Sequence, residues 1–347
     1  MDPNAGKKNM FNKLSKSECL DILNKEDFSR KTVSFYRYVI LKDLSDFRDE
    51  LYKNWNKLAV LGRIYIAKEG INAQLSVPEH HWEEFIENIN SYKQFQGVPF
   101  KFALEDNGKS FFKLTVKIRD QIVADGLSSD QYDVTNVGKH LSAKEWNKSM
   151  ANGAVVVDMR NHYESEIGKF KGAICPQVET FKEELPLVRE MLQGKEKEQI
   201  LLYCTGGIRC EKTSAYLKHY GFENVNQLYG GIINYVRELN EDKDLENKFQ
   251  GRNFVFDERR SEKVSKDIIS SCHQCGEKCD THVNCKNVNC NLLFLQCASC
   301  KEKYENCCSI DCVKVLKLPE EDRKRLRSGV NNQKKYYKHK KVNLSDR

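Results

Sequence analysis

Apolar positions along residues 32–124 alternate between two periods. Thr32 to Leu41 (TVSFYRYVIL), Gly62 to Ala67 (GRIYIA), Asn72 to Val77 (NAQLSV), Phe100 to Leu104 and Phe111 to Ile118 are short runs rich in β-branched and aromatic residues, the pattern of strands. Lys42 to Lys57 instead sets Leu44, Phe47, Leu51 and Trp55 at helical spacing, and His80 to Tyr92 does the same with Trp82, Phe85, Ile86 and Ile89. The order β-α-β-β-α-β predicts an α+β domain of ferredoxin-like (acylphosphatase-like) type. Residues 1–31 form a leader with one short amphipathic helix.

A polar stretch bearing Gly, Ser and Asp, 125–140, reads as a linker. Over 141–240, strand and helix patterns alternate. Ala154 to Asp158 (AVVVD) and Gln199 to Tyr203 (QILLY) are continuous apolar runs, as expected of parallel strands buried on both faces. Glu211 to His219 reads as a helix, and an α/β domain follows. A charged connector, 241–271, carries a strand-like piece at Asn253 to Phe256. It leads to a cysteine-rich module, 272–313, and a tail, 314–347. No internal repeat is present.

Charge and cysteine distribution sharpen this outline. From Lys314 to Arg347 there are 12 Lys and Arg against 4 Asp and Glu, a net of +8, so the rest of the chain carries −1 of the total +7. A basic tail on a near-neutral body suits a polyanion partner, or else simply a solvated tail. Mean hydropathy is −0.67, no apolar run has the ~20 residues of a membrane span, and Met1 to Lys16 lacks an apolar signal stretch. A soluble, cytoplasmic protein with no membrane association is expected. Ten of the 14 cysteines fall between Cys272 and Cys312. In a reducing compartment that favours metal ligation over disulfides.

The strand QILLY runs into Cys204, Thr205, Gly206, Gly207, Ile208, Arg209 and Cys210, and then into a helix. Two glycines let the loop curl with its amides inward. The helix N-terminus adds positive potential, and Arg209 adds a cation. All three stabilise an anion at Cys204 and lower its pKa. The plain alternative is a strand-to-helix turn without chemistry.

With Val155 to Arg160 and Leu228 to Ile232 (LYGGI), this loop resembles a rhodanese domain. Asp158 and Arg160 match that family's strand-end positions, which brace the active loop. The resemblance narrows on IAKEGINAQLSVP (66–78), KIRDQIVADG (117–126), VDMRNHYESEIGKF (157–170), YCTGGIRCEK (203–212), NFVFDERR (253–260) and CHQCGEKCDTHVNCKN (272–287). From about Val33 to Cys312 the chain resembles the rhodanese-domain tRNA uridine hydroxylases. The resemblance implies oxygen-dependent 5-hydroxylation of the wobble uridine of tRNA, with dioxygen as co-substrate. Cys204 then matches the catalytic, persulfide-type cysteine. Cys210 departs from an ordinary sulfurtransferase loop. The rival reading is a persulfide-carrying sulfurtransferase, and a third is a zinc-type binding module beside a vestigial rhodanese domain. Intact Cys204 and Arg209 count against the third. No flavin or haem motif is present, and no two-His-one-carboxylate cluster.

Cys272-x2-Cys275 and Cys297-x2-Cys300, 21 residues apart, have zinc-ribbon spacing. Cys279, Cys285, Cys290, Cys307, Cys308 and Cys312, with His273 and His282, offer a second site. An iron–sulfur cluster and metal-free thiols are the alternatives to zinc. In the first domain Arg37, Lys68, Lys113, Lys117 and Arg119, interleaved with Tyr36, Tyr38 and Tyr65, suit an RNA surface or merely the outward faces of strands. His162 and Tyr163 either face the active cysteine or cap a turn. Trp82 and Trp146 read as core, and Cys19 and Cys175 as inert thiols.

Overall fold

The computed structural model describes residues 12–127, 131–327 and 335–336. Part of the linker (128–130), the start of the leader (1–11) and most of the basic tail (328–334 and 337–347) lie outside the described residues.

Helix α1 (Lys16–Asn24) opens with a capping box between Ser15 and Glu18, which satisfies N-terminal amides reciprocally. The first sheet contains β1 (Arg30–Tyr38), β2 (Leu61–Ala67), β3 (Gly70–Pro78), β4 (Lys101–Phe102) and β5 (Leu114–Ile118), with α2 (Leu44–Lys57) and α3 (Trp82–Ser91) as its helices. Strand order is β4-β1-β3-β2-β5. The first four strands keep the ferredoxin-like order. The last strand, predicted as a strand without a stated partner, pairs parallel to β2 on the edge opposite β4. The intervening 103–113 segment is tied to β1 on the way, because the Thr32 N–H donates to the Asp106 carboxylate at 2.5 Å. Leu51, Trp55, Phe85 and Ile89 fill the core at the predicted helical spacing.

The second unit holds β6 (Lys139–Leu141), α4 (Ala143–Ala151), β7 (Val155–Asp158), α5 (His162–Ser165), β8 (Gly168–Phe170), α6 (Phe181–Met191), β9 (Ile200–Tyr203), α7 (Ile208–His219), β10 (Val225–Leu228) and α8 (Gly231–Glu241). Strands β6-β10-β9-β7 form a parallel sheet. Side chains alternate across it. Ile200, Leu202 and Cys204 join one core with α6 and α7 residues, and Leu201 and Tyr203 join the other with Trp146 and Tyr235. Cys204 thus continues the apolar rhythm of its strand. Part of the expected linker packs onto this domain: Tyr132 is buried in the core around Leu202 and Tyr216, and its hydroxyl donates to buried Asp125 at 3.1 Å.

Beyond α8, β11 (Phe249–Phe254) and β12 (Ser261–Lys263) join β8 in an antiparallel sheet. The connector strand therefore begins earlier than Asn253. The cysteine-rich part contains β13 (His282–Asn284), β14 (Leu292–Leu295), α9 (Ala298–Lys303), α10 (Ile310–Leu316), α11 (Glu320–Arg327) and β15 (Lys335–Tyr336), with β13-β14-β15 as a small sheet. Among the described residues no helix is long and apolar enough to cross a membrane.

Candidate active site

Cys204 lies directly after β9, and α7 begins at Ile208. The loop reverses tightly because Gly207 takes φ 95°, a conformation costly for side-chain-bearing residues. The Gly207 N–H donates to Cys204 Sγ at 3.1 Å. From the other side, α8 starts against the loop: the Ile232 N–H donates to the Cys204 carbonyl at 3.0 Å and the Ile233 N–H to the Thr205 carbonyl at 3.2 Å. A Cβ at Gly231 would sit 2.6 Å from both of those carbonyl oxygens, so the LYGGI string is what lets this helix approach.

Burial opposes ionisation of Cys204. The Cys210 thiol hydrogen bond, the Arg209 charge and the amides of Arg209 and Cys210 outweigh it and bring the thiol down to about 5. Burial and the adjacent thiolate push Cys210 well up, so Cys210 remains the proton donor of the pair.

Arg209 is not a free cation beside sulfur. Its guanidinium donates to both oxygens of Glu164, at 2.7 and 2.9 Å. Glu164 comes from α5, whose start is a capping box between Asn161 and Glu164. The string HYES therefore contributes Glu164, while His162 and Tyr163 are buried beside it. The Nδ1 of His162 meets the Val178 carbonyl at 3.1 Å. Asp158 and Arg160 do not line the cysteine cavity. Arg160 donates to Asp158 at 2.8 and 2.6 Å and to the Gly168 carbonyl at 2.6 Å, and the Tyr203 hydroxyl donates to Asp158 at 2.6 Å. This buried cluster locks the end of β9, and through it the loop.

Sequence reasoning missed the roof. The first domain's sheet lies over the loop and encloses a cavity of about 230 Å³, lined by Tyr36, Asn72, Gln74 and Lys101 together with Cys204, Thr205, Gly206, Ile208 and Arg209. The Lys101 ammonium sits 4.3 Å from the centre of the Tyr36 ring, and burial lowers its pKa to about 8, against the pull of Cys204 and Glu211. The Tyr36 hydroxyl donates to Glu211 at 2.9 Å, and Glu211 also meets His140 at 3.0 Å. Lys212, fully buried, pairs with Glu69 and Asp125, each at 3.0 Å. Asp257 and Arg259 from NFVFDERR form a further wall, with Arg259 bonded to Asp257 and Glu262. Their only prior signal was membership of the shared strings. Lys68, Lys117 and Arg119 are exposed on the first domain, with Arg119 over the Tyr65 ring.

Two groups of four thiols assemble in the last part of the chain: Cys272, Cys275, Cys297 and Cys300, and Cys285, Cys290, Cys308 and Cys312. Within each group the sulfurs lie within 4.8 Å of one another. Cys275 and Cys297 are 3.5 Å apart, Cys290 and Cys308 3.6 Å, and Cys308 and Cys312 3.7 Å. A tetrahedron of thiolates about 2.3 Å from one ion has edges of roughly 3.8 Å, so each group fits a single tetrahedral ion. Cys279 and Cys307, counted among candidates for the second site, fall outside both groups and are buried. His273 instead bonds Glu166 at 2.7 Å. His282 is buried, with neither ring nitrogen hydrogen-bonded among the described residues, and burial lowers its pKa to about 3.

A low-pKa cysteine held by loop amides at the end of a parallel strand, with an arginine at the following helix start, defines a rhodanese-type thiol site. Family comparison agrees: residues 142–238 match the rhodanese-like domain, 30–122 the UPF0176 acylphosphatase like domain, and 250–313 the rhodanase C-terminal family. A tRNA uridine(34) hydroxylase of Leptospira interrogans is 57% identical over 92% of this chain and 87% of its own length. Those of Hamiltonella defensa and Yersinia enterocolitica are each 48% identical, over 94% and 93% of this chain and 93% of their own lengths. The chain belongs to the tRNA uridine(34) hydroxylase family. Among solved structures, a rhodanese-like domain from Anabaena covers 32% of this chain and 78% of its own, at 17% identity and a TM-score of 0.26.

Proposed function

We propose that this protein hydroxylates C5 of the wobble uridine of tRNA with dioxygen as co-substrate, and that Cys204 is its nucleophile. One observation carries the reading: a thiol brought down to about 5 opens into a cavity roofed by another domain's polar side chains. A base flipped from a loop into such a cavity is read by its edges and stacking, here by Gln74, Asn72 and Tyr36. Thiolate addition at uracil C6 moves an electron pair to C5 and O4. The resulting enolate is a carbon nucleophile, and the ammonium of Lys101 stabilises its oxygen. After oxygen is gained at C5, loss of the C5 proton and expulsion of the thiolate restore the ring. Converting C–H to C–OH with dioxygen leaves one oxygen atom to be reduced to water by an external two-electron donor. Zinc is the ion proposed for both four-thiol groups. A multi-iron cluster places irons and sulfides between the thiolates of different irons and would hold some of the four sulfurs farther apart than the 4.8 Å that encloses each group.

The sulfurtransferase reading rests on the same loop amide at Cys204 Sγ, which would hold a persulfide equally well. Purified enzyme and unmodified tRNA under labelled dioxygen, followed by nucleoside mass spectrometry, separate the two. One labelled oxygen on uracil is expected. Product containing sulfur, formed from thiosulfate without dioxygen, would establish the rival.

A further inference from the structure

The Cys204 cavity has neighbours on both sides. One, of about 560 Å³, shares Tyr36 and Lys101 with it and is lined also by Arg37, Tyr38, His140 and Tyr229. The other, of about 320 Å³, shares Phe111, Val255, Phe256 and Asp257 with it and is lined also by Arg63, Phe112, Lys113, Arg260 and Asn284. Each side cavity therefore borders, through different residues, the one that holds the reactive thiol.

Both side cavities have the composition of a single-strand RNA groove, in which aromatic faces stack bases and cations meet phosphates. Tyr229 keeps 49% of its surface exposed. Arg37, Arg63, Lys113 and Arg260 make no ion pair among the described residues. The nearby carboxylates are already engaged: Asp257 by Arg259, Glu258 by Lys16, and Glu211 by Tyr36 and His140. Unneutralised cations along a groove with aromatic walls leave a favourable place for phosphates.

We propose that the two side cavities hold the nucleotides immediately before and after the target uridine, so that the protein grips three consecutive unpaired nucleotides with the middle base over Cys204. This rests on the tRNA reading above. Recognition of an unpaired three-nucleotide run explains how one cysteine site can be confined to an anticodon loop without reading a helix.

The test uses full-length protein and an anticodon stem-loop RNA carrying a photoreactive 4-thiouridine on one side of the target or the other, with cross-linked peptides mapped by mass spectrometry. One position is expected to cross-link to peptides bearing Tyr38 or Tyr229, and the other to peptides bearing Phe112 or Phe256. In parallel, Tyr229→Ala and Arg63→Gln should each raise KM for the stem-loop about tenfold with kcat little changed, and Tyr229→Phe should restore most of the loss. If the RNA is hydroxylated but both flanking positions cross-link elsewhere, this inference fails and the proposed function stands. If KM is unmoved in proteins with wild-type urea midpoints, the inference also fails. If the RNA is neither hydroxylated nor cross-linked, both fail together.

Discussion

Glu164 grips Arg209 through two hydrogen bonds, 2.7 and 2.9 Å long, and both side chains are buried. The carboxylate holds the guanidinium in one orientation beside the cysteine loop, which makes the cation a fixed part of the cradle rather than a mobile counter-ion.

Arg209→Gln should therefore raise the Cys204 pKa from about 5 toward the ordinary thiol range, since it removes the charge that favours the thiolate. The pH profile of alkylation by iodoacetamide reads this directly, with its midpoint moving up by at least one unit. The variant should also lose about 3–5 kcal/mol of stability, because Glu164 is left buried and unpaired. An unmoved midpoint would show that the amides and Cys210 alone set the thiolate.

Stability should depend on pH through Cys204 itself. The folded thiol ionises at about 5, whereas an unfolded cysteine does so near ~8.5. Between these values the folded chain has lost a proton that the unfolded chain keeps. Stability thus rises with pH across that window, and the contribution disappears as pH falls through about 5. Urea midpoints measured from pH 5 to 8.5 should climb more steeply for wild type than for Cys204→Ser. Parallel curves would mean that the thiol is neutral when buried.

Lys212 joins the two domains. It is fully buried, with Glu69 from the β2–β3 turn and Asp125 as its partners. Lys212→Met strands two carboxylates and should cost about 3–5 kcal/mol. It should also expose residues near 125 to limited proteolysis before the rhodanese core unfolds. Activity should fall with it, because Tyr36 and Lys101 are placed over Cys204 only while the first domain stays docked.

Elemental analysis should find two zinc ions per chain, matching the two four-thiol groups. Cys290→Ser should halve the content, while Cys279→Ser and Cys307→Ser should leave it unchanged. Chelation should abolish the near-ultraviolet circular dichroism of Tyr304 and its surroundings, because so short a segment has little apolar core without its metal. Iron with sulfide, or a single ion per chain, would overturn the assignment.

Period and local chemistry in the sequence determined a great deal. The alternation through Ile200, Leu202 and Cys204, the helical spacing of Leu51 and Trp55, and the CxxC pairs all express rules that act within a few residues of one another. So does the loop from Cys204 to Cys210, whose glycines and following helix make an anion cradle from adjacent backbone alone. What only the tertiary structure decided lies between segments far apart in the chain. Glu164 meets Arg209 across 45 positions and Tyr36 meets Glu211 across 175. No local pattern marks a glutamate as the partner of a distant arginine, because a carboxylate in a capping box satisfies the same spacing whether or not an arginine faces it. The same limit applied to the cysteines. Spacing placed Cys272, Cys275, Cys297 and Cys300 in one group, but the choice of Cys285, Cys290, Cys308 and Cys312 over Cys279 and Cys307 depended on how the β13–β14 hairpin and α10 fold back on each other. The strand Phe111 to Ile118 was legible, but the edge on which β5 pairs was not, for the same reason. Strand character is a property of five residues, whereas the neighbour a strand pairs with is settled by the whole sheet.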